Sequence, residues 1–216
     1  MKKSFRYLAL LLALTLVFPP LLPARAEKNT GVVRVLLTRL NLTDRAEIAL
    51  DGSYTLNELS FQRGSHLTVS CVGGTLMVYY EGMALNAGKQ LTLIRHETDP
   101  GKENGLRFNG AYELHNGDLV LTIRDGALRA VLHAPVEEYL LGVVPYEMSD
   151  SFPLEALKAQ AVAARTYALR KAGANGDYDV VDNTNDQAYY GVKAEHANAA
   201  RAVRETAGVC GYYKGG

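Results

Sequence analysis

Residues Pro135 to Ala172 read PVEEYLLGVVPYEMSDSFPLEALKAQAVAARTYALRKA, and their proline and alanine pattern predicts the helical part of the fold. Pro135 occupies the position of a first helical residue, and the two glutamates after Val136 complement the dipole of a helix. Pro145 prevents that helix from continuing past Val144. The first part of the stretch therefore predicts a helix of about two turns.

A longer helix is predicted in the second part of the same stretch. Apolar residues recur there at three- and four-residue intervals from Leu154 until Gly173, which predicts a helix over 153–172 with Ser151 as its N-cap. The predicted apolar face consists mostly of alanine, so we expect another backbone to pack close against it. A further helix is predicted over 195–206.

The chain before this stretch is typical of antiparallel β structure. Short apolar runs alternate with turn pairs such as Asn-Gly and Asp-Gly, which tolerate the positive φ of tight hairpins. The predicted strands are residues 32–37, 46–50, 66–69, 75–80 and 90–94. The fold class is thus α+β, with an antiparallel β-rich half over 27–104, a linker at 98–104 and a mixed helical and strand domain over 105–216.

The first 26 residues are typical of an export signal. Lys2, Lys3 and Arg6 precede an apolar run of 12 residues, which is shorter than the roughly 20 residues of a spanning helix. The small residues in Ala24-Arg25-Ala26 predict cleavage before Glu27, and an uncleaved membrane anchor is the alternative. Either outcome places the rest of the chain outside the cytoplasm, as a secreted, wall-associated or membrane-anchored protein.

Composition and charge exclude two classes of protein. The chain has 216 residues, of which 48% are apolar and 21% charged, and this balance excludes a disordered chain. Residues 27–216 contain 19 basic and 23 acidic residues, a net charge of −4. Such a chain lacks the positive field that binds a phosphate backbone, so no nucleic acid partner is expected.

Glu147 is the candidate general acid. It lies between two predicted helices and is flanked by apolar residues, namely Val143, Val144, Met148 and Phe152. Loss of hydration in such surroundings favours the protonated carboxyl that a general acid needs. A glutamate just before a helix is also a common partner of the helix dipole, so the residues alone leave both interpretations open.

The residue pattern predicts no metal and no cofactor. Four aspartates fall close together over 177–186, but their spacing fails the calcium-loop template. The five histidines are scattered without metal-ligand spacing, and neither a serine-hydrolase elbow nor a phosphate-binding glycine loop is present. Cys71 and Cys210 permit at most one internal disulfide.

Two runs of sequence resemble the core signature of the SpoIID/LytB family. They are Val136–Met148 and Phe152–Ala168, and the block Asp182–Gly191 resembles the family's next motif through Asp182, Thr184, Gln187, Tyr189 and Gly191. Members of this family are exported bacterial proteins that act on peptidoglycan. Stage II sporulation protein D is a lytic transglycosylase, and LytB is described as an enhancer of a cell-wall amidase.

The resemblance implies a function and a catalytic residue. Glu147 corresponds to the glutamate of the family's Pro-x-Glu-Met motif and would be the catalytic acid of a lytic transglycosylase that cleaves MurNAc–GlcNAc bonds in sporulation or wall remodelling. The alternative is a non-catalytic wall-binding protein that enhances an amidase. The implied partners are peptidoglycan glycan strands and a cell-wall amidase or another sporulation wall hydrolase.

The remaining predicted site residues are Arg165, Gln187 and Tyr189, all assigned to substrate binding. Arg165 has a second interpretation, as the ion-pair partner of an aspartate within 177–186. Some family members carry cysteine and histidine where this chain has Asn183, Thr184, Asn185 and Asp186, so no zinc is expected. Family members also continue into further strands, and we expect this chain to be incomplete at its C-terminus, with reduced activity.

Overall fold

Antiparallel strands dominate the first part of the chain in the computed structural model, which describes residues 31–96, 102–173 and 176–211. The strands are β1 (Val32–Leu36), β2 (Arg45–Leu50), β3 (Tyr54–Leu56), β4 (Leu59–Phe61), β5 (His66–Val72), β6 (Thr75–Tyr80), β7 (Met83–Asn86), β8 (Gln90–Arg95), β9 (Leu106–Phe108), β10 (Asp118–Arg124), β11 (Ala127–Pro135) and β12 (Val180–Val181). The helices are α1 (Val136–Leu141), α2 (Val144–Glu147), α3 (Leu154–Lys171) and α4 (Ala197–Glu205). The predicted signal segment lies outside the described residues.

Two sheets form within these residues. One has the strand order β12-β1-β11-β10-β8-β3-β4 and the other β7-β6-β5-β2-β9. Alternate side chains of both sheets are buried in one shared core, and β11 contacts β2 and β5 of the other sheet. The sheets therefore pack face to face, as period-two burial requires. The predicted α+β class with antiparallel sheets is confirmed.

The β10–β11 hairpin shows why the turn pairs predict strands correctly. Asp125 and Gly126 have φ angles of 52° and 79°, and the two strands pair in register on either side of them. Positive φ at both central residues is the geometry of the hairpin turn that matches the twist of the strands. The Asp-Gly pair adopts this turn because both residues tolerate left-handed backbone.

Strand pairing crosses the predicted boundary between residues 104 and 105. β8 pairs with β10, and β2 pairs with β9, so each sheet draws strands from both sides. Of the predicted linker, residues 98–101 lie outside the described ranges. Asn104 is hydrogen-bonded, because its side chain donates to the carbonyl of His96 at 2.7 Å. The division into two domains stays a prediction.

The helices pack on one another beside β1 and β11. The buried face of α3 consists of Leu157, Ala161, Ala164, Arg165 and Ala168, and α4 buries two alanines against it. The close approach predicted from the alanine-rich face is confirmed. None of the described residues forms a helix with the length and apolarity needed to span a membrane.

The predicted N-cap of α3 is wrong. Pro153 has extended backbone, with φ −52° and ψ 139°, and it occupies the cap position without a side-chain hydrogen bond. The hydroxyl of Ser151 instead lies 3.0 Å from the hydroxyl of Ser149. The helix begins at Leu154, so Ser151 is too far from the first turn to cap it.

Candidate functional site

Glu147 is the last residue of α2 and lines a surface cavity of about 530 Å³. The short helix turns its first residues inward, since Val143 and Val144 are completely buried. Glu147 ends the helix, and its side chain is exposed at the surface. The other residues that line the cavity are Tyr146, Thr184, Asp186, Ala188 and Tyr190.

The predicted loss of hydration at Glu147 is wrong for the free protein. The apolar neighbours Val143 and Val144 enter the core and do not cover the carboxyl of Glu147, whose side chain is exposed. Phe152 is itself half exposed and does not cover the carboxyl. Water therefore reaches Glu147 when the cavity is empty.

One oxygen of Glu147 is held by the backbone. The N–H of Ala188 donates to Oε1 at 2.9 Å. The second oxygen, Oε2, accepts no hydrogen bond from the part of the chain that the structure describes. The carboxyl is thus oriented by one contact and presents a second oxygen to a ligand.

The segment 187–190 is extended and alternates between core and cavity. Ala188 and Tyr190 line the cavity, whereas Gln187 and Tyr189 are 6% and 1% exposed. Gln187 accepts a hydrogen bond from the hydroxyl of Tyr139 at 3.2 Å, and Tyr189 stacks on the Tyr139 ring at 5.3 Å. Both side chains therefore point into the core of the free protein, and their assignment to substrate binding stays a prediction.

Arg165 is a structural residue and lies outside the cavity lining. Its side chain is completely buried and forms a two-point ion pair with Glu137, at 2.9 Å and 2.7 Å. It also donates to the carbonyl of Val209 at 3.0 Å. Arg165 forms an ion pair, as the second interpretation expects, but its partner is Glu137 on α1 and not an aspartate within 177–186. Its assignment to substrate binding stays a prediction.

A three-layer stack beside Glu147 was not predicted from the sequence. The Tyr190 ring lies 4.6 Å from the Tyr146 ring at an angle of 21°, and the guanidinium carbon of Arg39 lies 3.6 Å from the centre of the Tyr190 ring. Two groups this close cannot share one face of a ring, so Arg39 and Tyr146 cover opposite faces of Tyr190. The one sequence signal for Tyr190 is its position in an alternating segment: if Gln187 and Tyr189 point to one side, Ala188 and Tyr190 point to the other.

The loop after β1 that carries Arg39 is fixed by a buried aspartate. Asp182 is 2% exposed and accepts hydrogen bonds from the N–H of Thr38 at 2.9 Å and of Arg39 at 3.0 Å. Burial raises the pKa of Asp182, while these hydrogen bonds act in the opposite direction. The first residue of the block 182–191 thus holds the loop that carries Arg39, and later residues of the same block line the cavity.

Asp186 brings a second carboxylate to the cavity. It accepts hydrogen bonds from the Tyr167 hydroxyl at 2.6 Å and the Val181 N–H at 2.8 Å, and it pairs with Lys171 at 3.0 Å. Burial alone would raise the pKa of Asp186, but these contacts outweigh it and lower the pKa. Asp186 is therefore ionised at neutral pH and engaged on both oxygens.

The other aspartates of the predicted acidic stretch have structural partners. Asp177 pairs with Arg129, and Asp179 accepts hydrogen bonds from the backbone N–H, Nε and Nη2 of Arg34 on β1. Among the residues described, no group of three histidine, cysteine, aspartate or glutamate side chains gathers as metal ligands would. Cys71 and Cys210 are both half-buried free thiols.

Comparison with known proteins identifies the region that contains this site. Residues 124–213 match the SpoIID family model, described as stage II sporulation protein. An uncharacterized protein of Brachyspira hyodysenteriae is 29% identical over 193 residues, which cover 88% of this chain and 50% of that protein. The amidase enhancer of Bacillus subtilis is 47% identical over 76 residues, or 35% of this chain and 10% of the relative.

Stage II sporulation protein D of Bacillus subtilis is 38% identical over 91 residues, which cover 40% of this chain and 26% of that protein. This chain thus spans half or less of the length of these curated relatives. No solved structure matches it. The similarity to the SpoIID family covers residues 124–213, which contain the four described helices and Glu147.

Proposed function

We propose that this chain is an exported protein that acts on peptidoglycan, as a lytic transglycosylase that cleaves MurNAc–GlcNAc bonds of glycan strands. The observation that carries the proposal is the exposed carboxyl of Glu147, which is anchored through one oxygen and lines a cavity of about 530 Å³. Relatives named stage II sporulation protein D and amidase enhancer support a role in the sporulation or remodelling of the cell wall.

The proposed chemistry uses one carboxyl for two proton transfers. Glu147 donates its proton to the glycosidic oxygen as the bond from that oxygen to the muramic anomeric carbon breaks. The muramic 6-hydroxyl oxygen then bonds to the anomeric carbon, and its proton returns to Glu147. The products are a 1,6-anhydro-muramic end and a GlcNAc with a free 4-hydroxyl.

This mechanism needs no second carboxylate as nucleophile or base. The internal hydroxyl replaces the water that ordinary glycosidases activate, so the usual pair of catalytic carboxylates is not required. Asp186 lines the same cavity, yet its oxygens are occupied by Tyr167, Lys171 and Val181. Because Lys171 also balances its charge, we assign Asp186 a structural role in the wall of the cavity.

Substrate binding has to supply the dry environment that the empty cavity lacks. A sugar that fills the cavity displaces water from Glu147 and favours its protonated form. The exposed oxygen of the carboxyl remains free to meet the glycosidic oxygen. The anchored oxygen keeps its hydrogen bond to Ala188, which holds the group in position.

The test of this function is the substitution Glu147→Gln in the full chain. The amide keeps the size of glutamate but cannot donate or recover the proton, so cleavage should fall by about 100- to 10,000-fold. Glu155→Gln is the matched control, because Glu155 is an exposed glutamate on α3 outside the cavity. Mass spectrometry of digests from purified glycan strands counts the anhydro-muramic ends.

The outcomes separate the two candidate functions. Equal yields of anhydro ends from the parent and from Glu147→Gln would show that Glu147 is not the acid. A parent that produces no such ends yet stimulates a purified cell-wall amidase would favour the second function, an amidase enhancer. That function is supported by the 47% identity to the amidase enhancer of Bacillus subtilis.

A further inference from the structure

We propose that Arg39 binds a carboxylate of the glycan strand at the rim of the cavity that contains Glu147. This inference rests on the proposed function and names a substrate contact that lies outside the family region at 124–213. Its basis is the position of Arg39 against Tyr190, the fixed loop that carries it and the absence of an acidic partner among the described residues.

Arg39 is connected to Glu147 through two stacked rings. Its guanidinium lies 3.6 Å over Tyr190, and Tyr190 stacks on Tyr146, the residue that precedes Glu147. A distance of 3.6 Å requires face-to-face stacking, because the N–H groups would otherwise collide with the ring. The N–H donors lie in the plane of the guanidinium and therefore remain at the edges of the stack, available to a ligand.

The backbone of Arg39 is held in place independently of any ligand. Asp182 accepts from the N–H groups of Thr38 and Arg39, and Asn183 donates to the Thr38 hydroxyl at 3.0 Å. Thr184 and Asp186, which follow on the same segment, line the cavity. The arginine is thus positioned relative to the cavity before substrate arrives, which reduces the entropy cost of binding.

The Arg39 guanidinium has no ion-pair partner among the residues that the structure describes. The other cations near the cavity have acidic partners, since Lys171 pairs with Asp186 and Lys193 with Glu113. Within the described ranges no carboxylate lies within 4.0 Å of the Arg39 guanidinium, whose side chain is exposed. Asp182 accepts a hydrogen bond only from the backbone N–H of Arg39, and the guanidinium acts on it through space, where it helps to lower the pKa of Asp182 against the effect of burial.

A carboxylate is the ligand that these features select. A guanidinium fork pairs with a planar carboxylate through two parallel hydrogen bonds. A glycan strand offers such groups in two places: on the stem peptides, and on the muramic lactyl group once a stem has been removed. Neutral sugar hydroxyls would not require an unpaired cation, so we assign Arg39 to one of these anions.

Binding measurements with chemically altered strands test the proposal. Dissociation constants are measured with the full chain carrying Glu147→Gln, so that strands are not consumed, for peptide-bearing and peptide-free strands. Each type is used unmodified and after its carboxylates have been converted to amides. We expect Arg39→Gln to weaken binding of unmodified strands about three- to ten-fold. Amidation of the strands should weaken binding to the same extent when Arg39 is present.

The losses of affinity caused by Arg39→Gln and by amidation should not add, because both changes remove the same contact. Comparison of peptide-bearing with peptide-free strands shows which carboxylate is bound. Arg45→Gln is the control, since Arg45 is an exposed arginine on β2 and should leave affinity unchanged. Arg39→Lys keeps the charge without the fork and should restore part of the affinity.

Three results would overturn the proposal. The first is that the chain with Arg39 binds amidated and unmodified strands equally well. The second is that Arg39→Gln weakens binding of amidated strands as much as binding of unmodified strands, and the third is that neither type of strand binds. The second result would mean that Arg39 only supports Tyr190. The proposed function is tested separately, by the yield of anhydro-muramic ends. Cleavage without carboxylate preference rejects only the Arg39 contact, whereas carboxylate-dependent binding without anhydro products rejects only the transglycosylase.

Discussion

Arg165 is a single buried charge that ties three helices together. Its guanidinium pairs with Glu137 on α1 and donates to the Val209 carbonyl beyond α4, while its own backbone belongs to α3. The two partners differ in hydration, because the Arg165 side chain is 0% exposed and that of Glu137 is 37% exposed. This difference predicts that removal of the Glu137 charge and removal of the Arg165 charge lower the free energy of unfolding by different amounts.

We expect Glu137→Gln to destabilise the protein by about 3 kcal/mol, because it leaves a guanidinium buried without its counter-charge. Arg165→Met should cost less, since the remaining Glu137 can be hydrated and methionine fills much of the arginine volume. Urea unfolding of both variants measures the free energy of unfolding. A larger loss for Arg165→Met than for Glu137→Gln would contradict the prediction.

The site residues could be predicted only where a local motif carries the information. Glu147 follows from the Pro-x-Glu-Met motif, and it lines the cavity, while its catalytic role stays a prediction. The burial of Arg165 could have been inferred, because it follows Ala161 by four positions and lies on the apolar face of α3. Arg39 could not be found this way, since it reaches Tyr190 through a contact between residues 151 positions apart.

At the scale of the elements, Gly142 decides how closely α1 approaches the segment 187–191. A Cβ at Gly142 would lie 2.4 Å from Cε2 of Tyr189 and 3.1 Å from the backbone of Gly191. The Gly142 carbonyl also accepts a hydrogen bond from the Tyr190 N–H at 3.0 Å. The end of α1 therefore positions the segment whose Ala188 N–H orients Glu147.

We expect Gly142→Ala to destabilise the protein by about 1 to 3 kcal/mol, because the buried Tyr189 ring has no room to retreat. It should also reduce glycan cleavage, since the Ala188 N–H moves with the segment. Gly176→Ala is the control, because a Cβ there meets nothing within 4 Å. Thermal melts and product yields would show the effect, and equal values for the two variants would refute it.

Long elements could be predicted from periodicity, and short ones could not. The helix predicted over 153–172 is observed as Leu154–Lys171, and the helix predicted over 195–206 as Ala197–Glu205. Strands of two to four residues, such as β3 and β12, are too short to show alternation. They exist because longer strands offer them a partner.

At the scale of the whole molecule, His115 lies where a sheet meets the site region. It bridges to Leu106 at the start of β9 and packs its ring 5.7 Å from Phe108 and 5.7 Å from Tyr189. Burial lowers the pKa of His115 to about 4, although Glu113 raises it slightly and Arg107 lowers it further. Folding therefore requires His115 to be neutral.

This requirement predicts a loss of global stability in mild acid. In the unfolded chain His115 binds a proton below about pH 6.5, whereas in the folded protein it does so only near pH 4. The unfolded state thus takes up more protons as the pH falls from 6.5 to 4, and the free energy of unfolding drops by about 3 kcal/mol. His133, whose pKa burial also lowers, adds to the same trend.

His115→Phe should flatten this pH dependence, because phenylalanine fits between the two rings and does not titrate. Urea unfolding at several pH values between 7 and 4.5 would measure the free energies of parent and variant. The His133→Phe variant reports the smaller contribution of the second histidine. Identical pH profiles for the parent and His115→Phe would show that acid acts elsewhere.

The pairing of β1 has a consequence for the order in which the chain acquires its structure during synthesis. β1 pairs antiparallel with β11 and parallel with β12, where Val35 lies opposite Val180. A ribosome makes the chain from its N-terminus, so β1 emerges about 100 residues before its first strand partner. β1 stays unpaired until β11 has been made, and its other edge stays open until Val181 has been made. A chain interrupted before Val181 therefore carries an open strand edge that can pair with another chain.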